Sequence, residues 1–547
     1  MEIKSKGFLV LLLYSKFCAM QPNDGAMKKK RENIFTSILM IEKLFTFDKI
    51  VGETLEMIPS CNEQVKSYLE SYNWLASDLK KGNSVNRASM KGHALHVYTV
   101  FKRLTFFYAS IRGIFNSINT DADPICKDRL EHCGNWKFEG FCENNYLFMI
   151  NYCPETCGLC GLLESIRAVK EAEANIQLPN FEDFSEMVSG LGRLQKIYGL
   201  PIDLMRRGTI NAFPTSVELS TWDCLQLAHN SLKSGFLSYA WIWFQEISTT
   251  AKDANTLAYV QKEMQDLAYK HDKDLTKDDN HFRELLSKYP NQRPILSDSF
   301  HYCKESMKEA IRKSKAKVGE TFSCELTTRG VSFFILQPLK QETITAQPEI
   351  ILFHDVISDT EIETLKLLSI DHIDKDPRRN RRTEAYQLNM NHSVVNRLDR
   401  RAEMLSGLVM YNEDSKPEER NAEPLKVRNY CACGDFGLHS DTYYKHEKGA
   451  PSLHENFPEG DRMGTVIYYM NDVLNGGDLL FPRIRLTITP KKGTAILFYS
   501  LKKNGNFDKL SAHASCPVSV GEKWVAVKWF REGFNFRSRP CSTNPDE

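Results

Sequence analysis

Six cysteines, Cys126, Cys133, Cys142, Cys153, Cys157 and Cys160, fall within about 35 residues of a 547-residue chain. Glycines and Pro154 separate them. So short a stretch cannot bury enough apolar surface to hold itself together, so cross-links or a metal must do it. Zinc is the weaker option, because Cys157-Gly-Leu-Cys160 has no second Cys-x2-Cys pair to match it. The same pair read as a redox motif lacks a βαβ context. A disulfide-stapled module remains, with its connectivity open.

Disulfides imply an oxidising compartment, and the N-terminus agrees. Lys4 and Lys6 precede an apolar run from Gly7 to Tyr14, too short to span a bilayer, which fits a signal peptide over residues 1–20. A buried N-terminal strand is the alternative. No other segment reaches membrane-spanning length without charges. Asn391-His392-Ser393 is a glycosylation sequon, so Asn391 is a candidate acceptor. Lysine plus arginine number 71 and aspartate plus glutamate 70, a balance that gives no electrostatic reason to expect nucleic acid.

Either side of the cysteine cluster (residues 121–161) the pattern is helical. Residues 32–118 carry Ile34, Ile38, Ile41, Leu44 and Phe45, then Val65, Leu69, Tyr72 and Leu75, at helix period. Helical spacing resumes over 162–289. There Ser220-Thr221-x-Asp223 reads as a helix start, and the helix lengths resemble a tetratricopeptide unit. Tyr198, Tyr239, Trp241 and Trp243 are candidate platforms for an extended peptide, since aromatic faces stack on proline rings; core positions are the competing reading. Residues 290–348 read as a linker in which Cys303 and Cys324 can bridge. From Glu349 to Cys541, short β-rich runs punctuated by Gly, Pro and Asn predict a sandwich or jelly roll. The expectation is thus a multidomain α+β chain: helical regions, a disulfide-rich insert and a C-terminal double-stranded β-helix.

His439-Ser440-Asp441 carries the chemistry. Residues two apart on a strand share a face, so His439 and Asp441 can reach one metal. His513 enters another β-rich run. Two histidines and a carboxylate on one face suit iron(II) and leave positions open. Lys523 lies ten residues after His513. A buried cation there would pair with the far carboxylate of a dicarboxylic 2-oxo acid.

The cysteine spacing, ending Cys-Pro-Glu-Thr-Cys-Gly-Leu-Cys, resembles the ShK-toxin-like (ShKT) domain, which implies bridges Cys126–Cys160, Cys133–Cys153 and Cys142–Cys157. The stretch 349–541 resembles the catalytic domain of the collagen-type prolyl 4-hydroxylase alpha subunit. The motifs are Phe353-His354-Asp355-Val356-Ile357-Ser358-Asp359, His439-x-Asp441, Tyr469-Met470-Asn471-Asp472-Val473 and Gly476-Gly477 to Phe481-Pro482. Pro490-Lys491-Lys492-Gly493, His513-Ala514-x-Cys516-Pro517 and Gly521-x-Lys523-Trp524 follow in the family's order. Weaker likeness extends upstream through Leu194-Gln195-x-x-Tyr198 and the Trp243 region.

That resemblance implies His439, Asp441 and His513 as iron ligands and Lys523 as the partner of 2-oxoglutarate. It places Tyr430, Thr465 and Tyr469 near the cosubstrate, and pairs Cys303 with Cys324 and Cys516 with Cys541. It also implies Fe(2+), 2-oxoglutarate, O2 and L-ascorbate as cofactors and a proline-rich, collagen-like peptide as substrate. The product would be 4-hydroxyproline, with succinate and CO2. The partners implied are the protein disulfide isomerase beta subunit and a second alpha subunit, in the endoplasmic reticulum lumen. Departures are Cys431, Cys433 and Phe436 before the first ligand, and Leu237 and Ser238 in place of paired tyrosines. They keep open another proline-containing substrate, or a non-catalytic ShKT-containing binding protein.

Overall fold

The computed structural model describes residues 38–58, 63–81, 92–120, 126–269, 303, 323–370, 374–375, 384–388, 392–410, 421–442, 460–533, 535–539, 542 and 544. The signal segment, Asn391 and Cys541 lie outside them. The chain forms two compact units, one built from Met40–Arg293 and the other from Pro294–Glu547 with Thr36–Leu39.

The first unit is helical. Helices α1 (Ile38–Glu56), α2 (Glu63–Lys81), α3 (Ala94–Lys102) and α4 (Tyr108–Asn116) precede the cysteine module, with a π-helical turn, Arg103–Phe107, between α3 and α4. Their apolar faces bury Leu44, Val51, Tyr68, Val100 and Phe115. One ion pair lies inside: Arg103 donates to Asp48 at 2.6 Å, and the Tyr68 hydroxyl donates to the same carboxylate at 2.6 Å. Both charges are buried, so removing either would leave the other uncompensated.

The cysteine module consists of short helices, Cys133–Phe138, Phe141–Asn144 and Tyr146–Tyr152, held by disulfides Cys126–Cys160, Cys133–Cys153 and Cys142–Cys157. Among its described residues only Tyr146, Met149, Ile150 and Leu159 are well-buried larger apolar side chains. The staples therefore do what a core cannot.

Helices α5 (Cys160–Ala174), α6 (Phe181–Tyr198), α7 (Thr221–Lys233) and α8 (Leu237–Thr250) follow, with helical residues 254–269 after them. Ser220 caps α7 in a reciprocal capping box with Asp223, as the sequence pattern predicts. A hairpin, β1 (Thr209–Ile210) and β2 (Phe213–Pro214), turns at Asn211 and Ala212, both at positive φ. Trp243 is fully buried and donates its indole N–H to Gln195 Oε1 at 2.8 Å. Tyr198 is 3% exposed. These two side chains are core, not open platforms, because the α6 and α8 faces that carry them pack inward. Tyr239 is half-buried and Trp241 is exposed.

The second unit is a two-sheet structure with helices on one side, in keeping with the predicted jelly roll. A nine-stranded sheet runs β3-β4-β5-β14-β10-β17-β8-β7-β6. Its strands are β3 (Ser323–Thr327), β4 (Leu339–Ala346), β5 (Glu349–His354), β6 (Asp374–Lys375), β7 (Glu384–Gln387), β8 (Lys426–Tyr430), β10 (Arg462–Tyr469), β14 (Ala495–Tyr499) and β17 (Lys523–Arg531). A four-stranded sheet, β13-β12-β15-β9, comprises β9 (Phe436–His439), β12 (Leu479–Phe481), β13 (Leu486–Ile488) and β15 (His513–Ser515). β11 (Asn475–Gly476) pairs with β16 (Val518–Val520).

Alternation along the strands separates two cores. On β10 and β17, Ile467, Tyr469, Val525, Val527 and Trp529 join Tyr430, Phe436, Phe481 and Phe498 in an interior between the sheets. Val466, Tyr468, Ala526 and Phe530 face the other way and pack with residues of α9 (Asp359–Ile370) and α10 (Ser393–Ser406). Every residue of β17 is buried, as expected of a strand covered on both faces.

Four expectations change. The stretch 290–348 is not wholly linker, since β3 and β4 extend the large sheet. The β-rich third holds α9 and α10, which cover the sheet face that short strands alone would leave open. Cys303 does not bridge Cys324. It pairs with Cys516, with Cα atoms 5.9 Å apart. Cys303 and Cys516 are both buried, whereas Cys324 lies exposed on the edge strand β3, so its sulfur is not in that cluster. With Cys516 so engaged, the expected Cys516–Cys541 bridge does not form either.

Candidate metal and cosubstrate site

His439 ends β9 and His513 begins β15, and the two are direct cross-strand partners. Paired residues of an antiparallel ladder put their side chains on one face, so the imidazole centroids lie 4.3 Å apart. Asp441 is not on the strand. β9 stops at His439, and Asp441 sits in the bend that follows. It stands 3.7 Å from His439 Nε2 and 3.9 Å from His513 Nε2. The chain leaves the small sheet there and reaches the large one, where Thr465 of β10 donates its hydroxyl to Asp441 Oδ2 at 2.7 Å. His439 and Asp441 do come together, but not through the shared strand face that the period-two argument assumes.

Both rings are oriented by backbone carbonyls. His439 Nδ1 lies 2.8 Å from the Gly437 carbonyl, and His513 Nδ1 lies 3.0 Å from that of Ser511. A carbonyl only accepts, so each Nδ1 carries a hydrogen, and Nε2 is the ring nitrogen turned toward Asp441. The three ligand atoms all fall within 4.8 Å of one another. Phe436 packs on His439 at 3.8 Å between centroids, and Phe481 and Phe498 flank His513 at 5.6 and 4.8 Å. Burial by itself would raise the Asp441 pKa. His513, His439, Arg462 and the Thr465 hydroxyl outweigh it and bring the carboxyl down to about 2. A carboxylate facing the Nε2 atoms of two imidazoles in an apolar wall is a donor set that fits iron(II).

Lys523 begins β17 opposite Tyr430 of β8. It is 2% exposed and donates to the Gly477 carbonyl at 2.6 Å and the Ser515 hydroxyl at 3.0 Å. Its Nζ lies 5.1 Å from the Tyr430 ring centroid and 5.8 Å from that of Tyr469. Burial pushes its pKa down to about 7, against a small opposing pull from Asp478. The Tyr469 hydroxyl is buried with no hydrogen-bond partner among the described residues. A buried ammonium beside an unsatisfied hydroxyl fits the carboxylate of a bound dicarboxylic acid.

The structure thus gathers His439, Asp441, His513 and Thr465 in one cluster and Lys523, Tyr430 and Tyr469 in another. Thr465 hydrogen-bonds the Asp441 carboxylate directly. Sequence reasoning missed Ser515, Glu423, Arg462 and Trp529. Arg462 stacks on Trp529 at 3.9 Å and is gripped by Glu423, 39 residues earlier in the chain, at 2.6 Å. No local pattern marks such a pair, because the sheet alone brings them together.

Residues 425–531 match the family model of the 2OG-Fe(II) oxygenase superfamily, and residues 125–160 that of the ShK domain-like family. The prolyl 4-hydroxylase subunit alpha-1 of Bos taurus is 29% identical over 425 residues, which covers 66% of this chain and 76% of that protein. Its Homo sapiens counterpart is 28% identical over 424 residues, with the same coverage. The subunit alpha-3 of Bos taurus is 26% identical over 447 residues, 70% of this chain and 80% of that protein. A crystal structure of the viral collagen prolyl hydroxylase from Paramecium Bursaria Chlorella virus-1 covers 33% of this chain and 95% of that one, at 22% identity and a TM-score of 0.27. With the His-x-Asp…His cluster in place, the chain is a 2-oxoglutarate-dependent Fe(II) dioxygenase that carries an ShK-like module and is similar to prolyl 4-hydroxylase alpha subunits.

Proposed function

We propose that this protein hydroxylates peptidyl proline to 4-hydroxyproline, consuming 2-oxoglutarate and O2 and releasing succinate and CO2. The observation that carries this reading is the His439–Asp441–His513 cluster, with Asp441 and His513 buried, sharing one sheet-lined interior with the buried Lys523. The alpha subunits to which the chain is similar supply the substrate class.

His439, Asp441 and His513 hold iron(II). Carbonyl contacts at Nδ1 keep both imidazoles in the ligating tautomer, and Thr465 keeps the carboxylate turned toward them. Bound iron with its cosubstrate supplies an oxidant able to hydroxylate an unactivated C–H bond. Lys523 takes the distal carboxylate of 2-oxoglutarate as a charge-assisted pair, with the Tyr469 hydroxyl as a further donor. Phe436, Phe481 and Phe498 exclude water from around the ligands.

The wider expectations belong to the same reading. Helices α6 to α8 present the peptide-binding surface, through Tyr239 and Trp241 rather than Tyr198 and Trp243. Ascorbate sustains turnover. The four disulfides among the described residues suit an oxidising lumen, and with it residence in the endoplasmic reticulum beside a protein disulfide isomerase partner.

Mass spectrometry of a (Pro-Pro-Gly)-repeat peptide, incubated with protein, iron(II), 2-oxoglutarate, ascorbate and air, tests the proposal. A gain of about one oxygen mass per modified proline, coupled to succinate and absent in His513→Ala, is the expected result. Succinate without hydroxylation would point to another substrate. Neither product, from folded and iron-loaded protein, would return the chain to the binding-protein reading.

A further inference from the structure

Asp441 lies beyond the end of its strand, so its main chain is not held by the β9 ladder. A carboxylate from another segment reaches it indirectly. Glu423 precedes β8, and its amide donates to the Trp529 carbonyl at 2.9 Å. One carboxylate oxygen accepts Arg462 Nε at 2.6 Å and Arg531 Nη2 at 2.8 Å, and the other accepts Arg462 Nη2 at 2.6 Å. The Arg462 guanidinium lies over the Trp529 ring at 3.9 Å. Its remaining nitrogen, Nη1, donates to the Asp441 carbonyl at 3.3 Å.

A guanidinium is rigid and planar. Once Nε and Nη2 are forked onto Glu423 and the plane is set by Trp529, the direction of Nη1 is determined. It points at the backbone of a metal ligand. Arg531 closes the arrangement from the end of β17, donating also to the Gly460 carbonyl at 2.9 Å. The ends of β10 and β17 and the approach to β8 are thereby tied to the bend that carries Asp441.

We propose that Glu423 is a positioning residue of the metal site, orienting Arg462 so that it fixes the main chain of Asp441 with its carboxylate facing His439 and His513. The inference rests on the iron-site reading above. It predicts that geometry at Glu423, not charge alone, sets metal affinity.

The test is a cobalt(II) titration of the full chain, followed by visible absorption, on wild type, Glu423→Gln, Arg462→Lys and the double variant. Gln cannot accept three guanidinium hydrogens, and Lys keeps the charge but cannot fork. Each single variant should weaken cobalt(II) binding by roughly 10–100-fold, the range for losing an outer partner of a ligand. The double variant should be no worse than the weaker single one, because both break one unit. Unchanged affinity in folded Glu423→Gln overturns the proposal. Loss in Glu423→Gln with full affinity in Arg462→Lys also overturns it, leaving a charge effect. A single variant that does not fold assigns the cluster to stability and overturns the positioning role. Wild type that fails to bind cobalt(II) overturns the iron-site reading itself.

Discussion

Replacing Lys523 by methionine should flatten the rise in stability of the metal-free protein between pH 6 and pH 9 while destroying its hold on 2-oxoglutarate. The lysine is buried, and its pKa falls from 10.5 in the unfolded chain to about 7 in the folded one. A depressed lysine binds fewer protons when folded, so its ionisation opposes folding at low pH, and stability rises with pH through the window from about 7 to 10.5. At pH 6 the linkage cost is about 5 kcal/mol, and at pH 9 about 2 kcal/mol. Methionine removes that cost but leaves the Gly477 carbonyl and the Ser515 hydroxyl without the lysine donor. Each such loss costs about 1–3 kcal/mol, so the net gain at pH 6 is small. The difference between the two pH values is the sharper quantity, because the packing and hydrogen-bond changes cancel in it. Wild type should gain about 2–3 kcal/mol relative to Lys523→Met on moving from pH 6 to pH 9. Urea denaturation of metal-free protein at both pH values measures it. An identical wild-type-to-variant gap at pH 6 and pH 9 would refute the buried-ammonium argument. Calorimetry supplies the functional half. The dicarboxylate should restore the ammonium, so binding above pH 7 takes up a proton in wild type and is lost in the variant.

Thr465→Val removes the hydroxyl that holds Asp441 Oδ2, and should weaken iron(II) or cobalt(II) binding by roughly tenfold or more with little change in fold. Trp243→Ala should destabilise the helical unit by about 3–5 kcal/mol, as a buried indole is deleted, as read by thermal denaturation. Tyr239→Ala and Trp241→Ala should instead leave stability nearly intact and raise the KM for proline-rich peptide. Non-reducing peptide mapping should recover a cross-linked pair containing Cys303 and Cys516; recovery of Cys303 with Cys324 would overturn that connectivity. Asp48→Ala, which strands the buried Arg103 guanidinium, should cost about 3–5 kcal/mol by chemical denaturation.

Much of this protein is legible one residue at a time. Six crowded cysteines require staples wherever they lie. Ser220 and Asp223, three apart, make a capping box by local geometry alone. His439, Asp441, His513 and Lys523 can be singled out because the residue types a metal and a dicarboxylate need are few and their order is specific. What the sequence cannot express is which distant strands become neighbours. Register alone sets His513 opposite His439, and only the crossing from one sheet to the other lets Thr465 reach Asp441. Whether Trp243 serves a peptide or the core depends on which helix face turns inward, a choice that periodicity leaves undecided for an aromatic residue. Cys303 finds Cys516 across 213 residues, and Glu423 finds Arg462 through the closing of the large sheet. Residue chemistry is a local property, whereas proximity is a property of the folded backbone. The sequence therefore determined the reagents of the site, and the tertiary structure decided what holds them in place.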